Sequence, residues 1–262
     1  MLKKRIIPVQ LLLNGRLTKT KQFRSDFGRD GDTRNQDVGD PVKSAAVYNS
    51  QYADELVFLN IARDVQSVKP LAGVIEGVAK VSFIPLAVGG GIRSYEDAAY
   101  LIQNGADKVV VNSAAYRDKA MLTRIAEVFG AQALVVGIDA ARGADGSYVL
   151  RSNCGRDDEA VALEDHIRAC EAAGAGEFFV QSIDRDGTMT GFEIPLLKRA
   201  CDAASVPVVG CGGSGDYNHL KEAFLDSGVS ALACGSLFNF SDSNPIRAKA
   251  FLSNYGLPFK VV

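Results

Sequence analysis

The feature that most constrains this chain is an internal duplication. An offset of 122 residues carries Pro85 onto Pro207, Gly90 and Gly91 onto Gly212 and Gly213, and Tyr95 onto Tyr217. After a one-residue slip, Gly105 lands on Gly228 and Ser113 on Ser236. The same offset takes Glu55 to Glu177, Ile61 to Ile183, Arg63 to Arg185 and Asp64 to Asp186. Each copy reads as apolar strand, glycine turn, helix, strand. The fold must therefore seat two equivalent halves, roughly residues 1–130 and 131–262. Glycines directly after a strand let backbone N–H groups approach an anion near a helix start. A lone run of this kind fits a tight turn equally well. Two in register, each followed one strand later by a small hydroxyl residue (Ser113, Ser236), point to phosphate binding.

Apolar runs predict strands over 5–13, 55–61, 83–88, 108–111, 133–139, 177–182, 206–211 and 231–235. Helical patterns cover 40–52, 68–81, 95–104, 118–129, 158–173, 193–204, 217–227 and 244–254. Asp40 and Pro41 suit the N-cap and first turn of the first helix. Residues 140–156 read as a hairpin-like excursion turning at Asp145-Gly146. The polar stretch 17–39 has no clear period. Loops this long inside compact domains are functional lids or disordered, and a mobile lid is the preferred reading. Eight strands alternating with helices predict a (β/α)8 TIM barrel, an α/β fold, as one domain over 1–262. In that fold the chemistry lies at the C-terminal strand ends, which here carry the glycines, Asn112, Asp139, Asp186 and Ser236.

Composition narrows the function. With 47% apolar and 23% charged residues and a net charge of −2, the chain has a real core but no basic field for nucleic acid or an anionic membrane. Any phosphate must be held locally by backbone amides. Five cysteines, odd in number and without CxxC spacing, read as reduced thiols; Cys211 and Cys234, though near the site, read as packing residues. The two histidines, His166 and His219, fall on predicted helices, which argues against a metal site; His219 reads as a helix-surface residue. No cofactor is implied. Residues 1–13 mimic a signal peptide only superficially, since Pro8 and Gln10 interrupt the apolar part and no cleavage site follows. The expected localisation is cytoplasmic.

Several stretches are specific: Lys4-Arg5-Ile6-Ile7-Pro8, Asp54 to Leu59, Val88 to Ser94, Gly105-Ala106-Asp107-Lys108 with Asn112-Ser113-Ala114-Ala115, and Asp184 to Thr188. In these the chain resembles the cyclase subunit of imidazole glycerol phosphate synthase over nearly its whole length. The resemblance implies a ligand with a phosphate at each end. Gly91, Asn112 and Ser113 would form one phosphate site, and Asp186, Gly187, Thr188, Gly213, Gly235 and Ser236 the other. It also implies a glutaminase partner docked at the N-terminal barrel face, where Asp107 matches an interface position. Ammonia would enter there past a ring of Arg5, Glu55, Lys108 and Glu177.

The catalytic centre departs from that pattern. The family places aspartates at the ends of strands one and five as general acid and base. Strand five supplies Asp139, but Leu11 stands where the other acid belongs. A slip that called on Gln10 would turn its side chain to the other strand face. Asn60 and Gln181 replace a family aspartate and threonine, the loop after strand one is longer than usual, and the family's basic pair after strand five is replaced around Arg156-Asp157. Lys19 is retained, and its role as catalytic group or phosphate tether stays open. Three functions follow. First is an ammonia-relaying barrel that binds a phosphorylated ligand and serves a separate sugar amidotransferase in surface-polysaccharide (O-antigen) synthesis. Second is a working cyclase, a lyase of histidine biosynthesis. Third is a non-catalytic scaffold for phosphorylated ligands.

Overall fold

The computed structural model describes residues 3–24, 37–62 and 67–260. Eight strands form a closed parallel barrel: Arg5–Leu13, Leu56–Asn60, Leu86–Gly89, Lys108–Val111, Leu134–Arg142, Glu177–Ser182, Val208–Cys211 and Ala231–Cys234. Neighbours in sequence are neighbours in space. The ring closes where Arg5 to Pro8 pair with Ala231 to Cys234. The two halves meet again where Val109 to Val111 pair with Leu134 to Val136. This is the predicted (β/α)8 barrel. Strands buried on both faces need apolar side chains on both, which is why they read as continuous apolar runs.

The period-2 alternation of each strand sorts these side chains. Ile7, Val9, Val57, Val110, Val135 and Phe179 fill the barrel interior. Ile6, Leu12, Phe58, Val109, Val136 and Phe178 point the other way, into the layer beneath the helices. Helices Pro41–Ser50, Ala72–Ala79, Tyr95–Gln103, Lys119–Phe129, Leu163–Ala172, Ile194–Ala203, Tyr217–Ser227 and Pro245–Ser253 cover that layer. Their starts are set by side chains that accept otherwise unpaired N–H groups: Asp40 from Lys43, Asp118 from Met121, Asp216 from His219 and Asn244 from Arg247.

The duplication persists in atomic contacts. A Cβ added at Gly90 would lie 2.0 Å from the carbonyl oxygen of Asn60; one added at Gly212 would lie 2.7 Å from that of Ser182. Asn60 and Ser182 are themselves 122 positions apart. Each glycine turn thus folds over the end of the preceding strand at an approach no side chain permits. Arg63 and Asp64, which extend the repeat in sequence, lie outside the described residues.

Among the described residues, four strand or α-helix elements lie outside the sequence expectations. Arg16–Thr18 is a short antiparallel strand on Leu11–Leu13, turning through Asn14 and Gly15, both at positive φ, so the polar stretch starts later than residue 17. Asn-Gly favours this left-handed hairpin turn, a signal the sequence carried. Next, Asp157–Glu159 pairs with Leu150–Ser152 as the third strand of the excursion, which delays the following helix to Leu163 instead of 158. Finally, Ser113–Arg117 and Ser236–Phe240 form short extra helices directly after the fourth and eighth strands. Most of the region expected as a lid, residues 25–36, lies outside the described residues.

Candidate functional site

The C-terminal strand ends enclose a bowl of about 740 Å³, within the range of small-molecule sites. Gly90, Gly91, Asn112, Ser113 and Asp139 line it, with Leu11. A side pocket of about 30 Å³ opens beside it, lined by Lys19, Asp186, Gly187, Gly213, Gly235 and Ser236. Leu11, Thr20 and Gln181 border both, so the two compartments form one continuous surface. The residues expected at each phosphate end are therefore gathered at opposite ends of one bowl, with the exception of Thr188. Its N–H and hydroxyl both go to the carbonyl of Arg185, and it lies outside the side-pocket lining. Asn112 directs its amide to Asp139, Nδ2 to Oδ2 at 2.8 Å.

Leu11 points into the bowl. Gln10, on the opposite strand parity, is 1% exposed and belongs to the layer beneath the helices, out of reach of the bowl. The first strand accordingly presents no carboxylate opposite Asp139. Asp139 lies deep in the bowl. Burial raises its pKa to about 7, Asp186 pushes in the same direction, and the Asn112 hydrogen bond opposes both.

Asp186 is held differently. Its carboxylate accepts from the Thr20 hydroxyl (2.7 Å), the Phe23 N–H (3.2 Å) and Gln181 Nε2 (3.2 Å). Its own N–H donates to the carbonyls of Ser182 and Ile183. Burial raises its pKa, against the pull of those donors and of Lys19. The contacts from Thr20 and Phe23 pin the segment after the short antiparallel strand across the 184–188 loop, aided by Gln22 N–H to the Asp186 carbonyl at 2.9 Å. That segment delivers Lys19, buried at 6% exposure, to the side pocket. Burial brings its pKa down to about 8, against the attraction of Asp186.

Sequence reasoning missed how far the 140–156 excursion leans over the bowl. Gly146, at positive φ, turns the hairpin, and Asn153 donates its N–H to Ser113 Oγ at 3.0 Å, so Asn153, Cys154 and Asp157 join the lining. Glu193 locks this excursion to the 184–191 loop by accepting from Arg142, from Tyr148 Oη (2.9 Å) and from Arg185 (3.1 Å). The excursion was visible in the sequence; its direction was not, because it depends on Glu193, which lies far along the chain. Cys211 and Cys234 are buried, with thiol pKa values raised by that burial (Cys234 to about 12), so neither is a thiolate at neutral pH. His219 sits at the second glycine turn, with Nδ1 accepting from the Gly215 N–H at 3.2 Å. No group of three or more potential metal ligands occurs among the described residues, and no helix there is long and apolar enough to cross a membrane.

At the opposite end of the barrel, four charges close a ring. Arg5 bonds Glu55 (2.7 Å) and Glu177, and Lys108 bonds Glu55 (2.8 Å) and Glu177 (2.8 Å). Each stands at, or one residue before, the start of its strand. Both carboxylates are buried, at 3% and 5% exposure. Isolated, each would cost several kcal/mol of desolvation; alternation gives each two counter-charges. Burial works against ionising Glu177, but Arg5 and then Lys108 outweigh it and hold its pKa below the ordinary value. Asp107, exposed on the same face, uses one oxygen to accept the Leu86 N–H at 2.8 Å.

Sequence comparison places this architecture among known proteins. The profile of the family described as Histidine biosynthesis protein matches residues 5–244. The chain is 38% identical over 252 residues to imidazole glycerol phosphate synthase subunit HisF of Alkaliphilus metalliredigens, covering 96% of each chain. It is 38% identical over 262 residues to the protein of the same name from Hyphomonas neptunium, and 36% identical over 261 residues to that from Streptococcus sanguinis, covering 100% of each chain in both cases.

Proposed function

The chain belongs to the HisF family, the cyclase subunits of imidazole glycerol phosphate synthase, and from that premise we propose that it is the ammonia-accepting barrel of a two-component synthase. A glutaminase docks at the base and supplies ammonia through the Arg5, Glu55, Lys108 and Glu177 ring. A ligand with two phosphate ends lies in the bowl, one end toward Gly91 and Ser113 and the other toward Gly187, Gly213, Gly235 and Ser236. Asp139, between them, handles protons. One observation carries this reading: a carboxyl group with raised proton affinity lies on the bowl floor between two repeated glycine turns, with a closed charge ring beneath. Phe83, 88% exposed just before the third strand, and Tyr52, 52% exposed before the second, supply apolar contact area on the docking face. Lys19, buried beside Gly235 and Ser236, acts as a tether for the second phosphate.

The relatives' shared name favours the working cyclase over the relay that the sequence alone ranked first. Leu11 keeps the relay reading alive as a second proposal. In that case the barrel would pass ammonia to a separate sugar amidotransferase of surface-polysaccharide synthesis, using the bound ligand only to stimulate the glutaminase. Supplying the purified chain with the cyclase substrate, a phosphoribosyl formimino carboxamide ribonucleotide, and concentrated ammonium salt decides between them. Substrate loss at ordinary enzymatic rates supports the cyclase. Inactivity of the natural chain, combined with activity gained in Leu11→Asp, supports the relay.

A further inference from the structure

With no acid at position 11 the proton-transfer site is one carboxylate short. Of the aspartates lining the two compartments, Asp118 and Asp157 are exposed, whereas Asp139 in the bowl and Asp186 in the side pocket are the partly buried pair. Asp139 and Gln181 are register partners on adjacent strands. Gln181, 5% exposed, reaches from there to Asp186 with a 3.2 Å hydrogen bond and lines both compartments. A ligand spanning the two compartments therefore meets Asp139 in one and Asp186 in the other. The Asp186 carboxylate is poorly suited to hold phosphate, since like charges repel and its N–H is already donated within its own loop. Three donors favour its ionised form, whereas Asp139 has one, from Asn112. Unequal hydrogen bonding of two nearby carboxyl groups separates their proton affinities, the condition for one acid and one base.

We propose that Asp186, positioned by Gln181, is the second catalytic carboxylate of this chain, working with Asp139 in place of the acid absent at position 11. The inference rests on the cyclase reading. When ammonia condenses with a carbonyl group, a C–N bond forms and a C–O bond breaks. Two protons pass from nitrogen to the oxygen that leaves as water. At each transfer Asp186 takes one from nitrogen and Asp139 gives one to oxygen, with the proton returned from Asp186 to Asp139 through solvent after each, so the pair ends with its proton count unchanged. Among the described residues, the other ionisable groups beside Asp186 are Lys19 and Cys211; those beside Asp139 are Tyr116, Cys211 and its register partner Arg151, whose guanidinium is engaged by Asp158 and the Gly155 carbonyl. Both thiol and phenol are held protonated by burial, and Lys19 is the cation that favours the ionised form of Asp186.

The test uses the whole chain with ammonium and the cyclase substrate, measuring kcat and KM from about pH 5 to pH 9 with total ammonium adjusted at each pH to hold free ammonia constant, since protonation of ammonia would itself impose an acid limb. Asp186→Asn should lower kcat by about 10²–10⁴ with KM within a few-fold, and abolish the acid limb of the pH profile. Gln181→Leu, which keeps the carboxylate but removes one donor to its ionised form, should shift that limb upward with a smaller loss. Full activity in Asp186→Asn overturns the inference. So does a loss expressed in KM with the acid limb intact, which would make Asp186 only an anchor for the Thr20–Phe23 segment. If Asp186→Asn does not fold, an unmoved acid limb in Gln181→Leu overturns it. A natural chain that turns over no substrate overturns the cyclase reading, and this inference with it.

Discussion

A carboxyl group buried beside a second carboxyl, with a single amide donor, keeps its proton to higher pH than it would in water, and Asp139 is in that position. Its folded-state pKa of about 7 lies above the ordinary 3.8, so the folded state binds more protons between those values and stability falls as pH rises through that window. Below pH 3.8 both states are protonated and nothing is lost. Asp139→Asn, which keeps an acceptor for Asn112, should therefore be more stable than the natural chain at pH 8, by about 2 kcal/mol after screening by water in the bowl, and equal to it near pH 4. Chemical denaturation at the two pH values checks this. The inward aim of Leu11 and the outward aim of Gln10 were legible from strand alternation alone, because a period of two leaves no freedom. The grip on Asp186 was not. It comes from Thr20 and Phe23, in a segment with no periodicity, and from Gln181, whose long side chain could have turned to either neighbour.

Among the elements, the two glycine turns do the same work at matching places, and their tolerance to change should match. Gly90 has φ +92° and Gly212 φ +95°, each folded against a backbone carbonyl that cannot move aside. Gly15 has a similar φ of +76° but open space around its missing Cβ. Gly15→Ala should thus cost only the left-handed penalty of about 1–2 kcal/mol. Gly90→Ala and Gly212→Ala should each cost more, by about 1–3 kcal/mol of added strain, and weaken binding of a phosphorylated ligand at their own end. Melting temperatures of the three variants give the ranking. Barrel strands and capped helices were readable because burial on both faces and N-cap chemistry each leave a mark in local sequence. The third strand of the excursion was not readable: Asp157-Asp158-Glu159 has none of the residues that favour strands and is held by pairing with Leu150–Ser152.

At the scale of the whole molecule, the barrel separates a polar rim from a sealed, charged base through an apolar interior. Arg5→Ala should leave Glu55 and Glu177 sharing Lys108 alone, destabilising the chain by about 2 kcal/mol or more. If the ring admits ammonia, the same variant should alter activity driven by glutamine and the glutaminase while sparing activity driven by ammonium salt; the ratio of the two rates is the measurement. The duplication made the closed architecture legible, since two four-strand units complete one ring, whereas the occupant of the bowl left no mark beyond the glycines. A vessel with near-twofold symmetry would accept a double-ended guest in either direction. The two antiparallel extensions that follow the first strand of each half differ in what they deliver: one brings Lys19 to one end, the other leans Asn153 over the other, so the ends are unequal and give the guest one preferred way round.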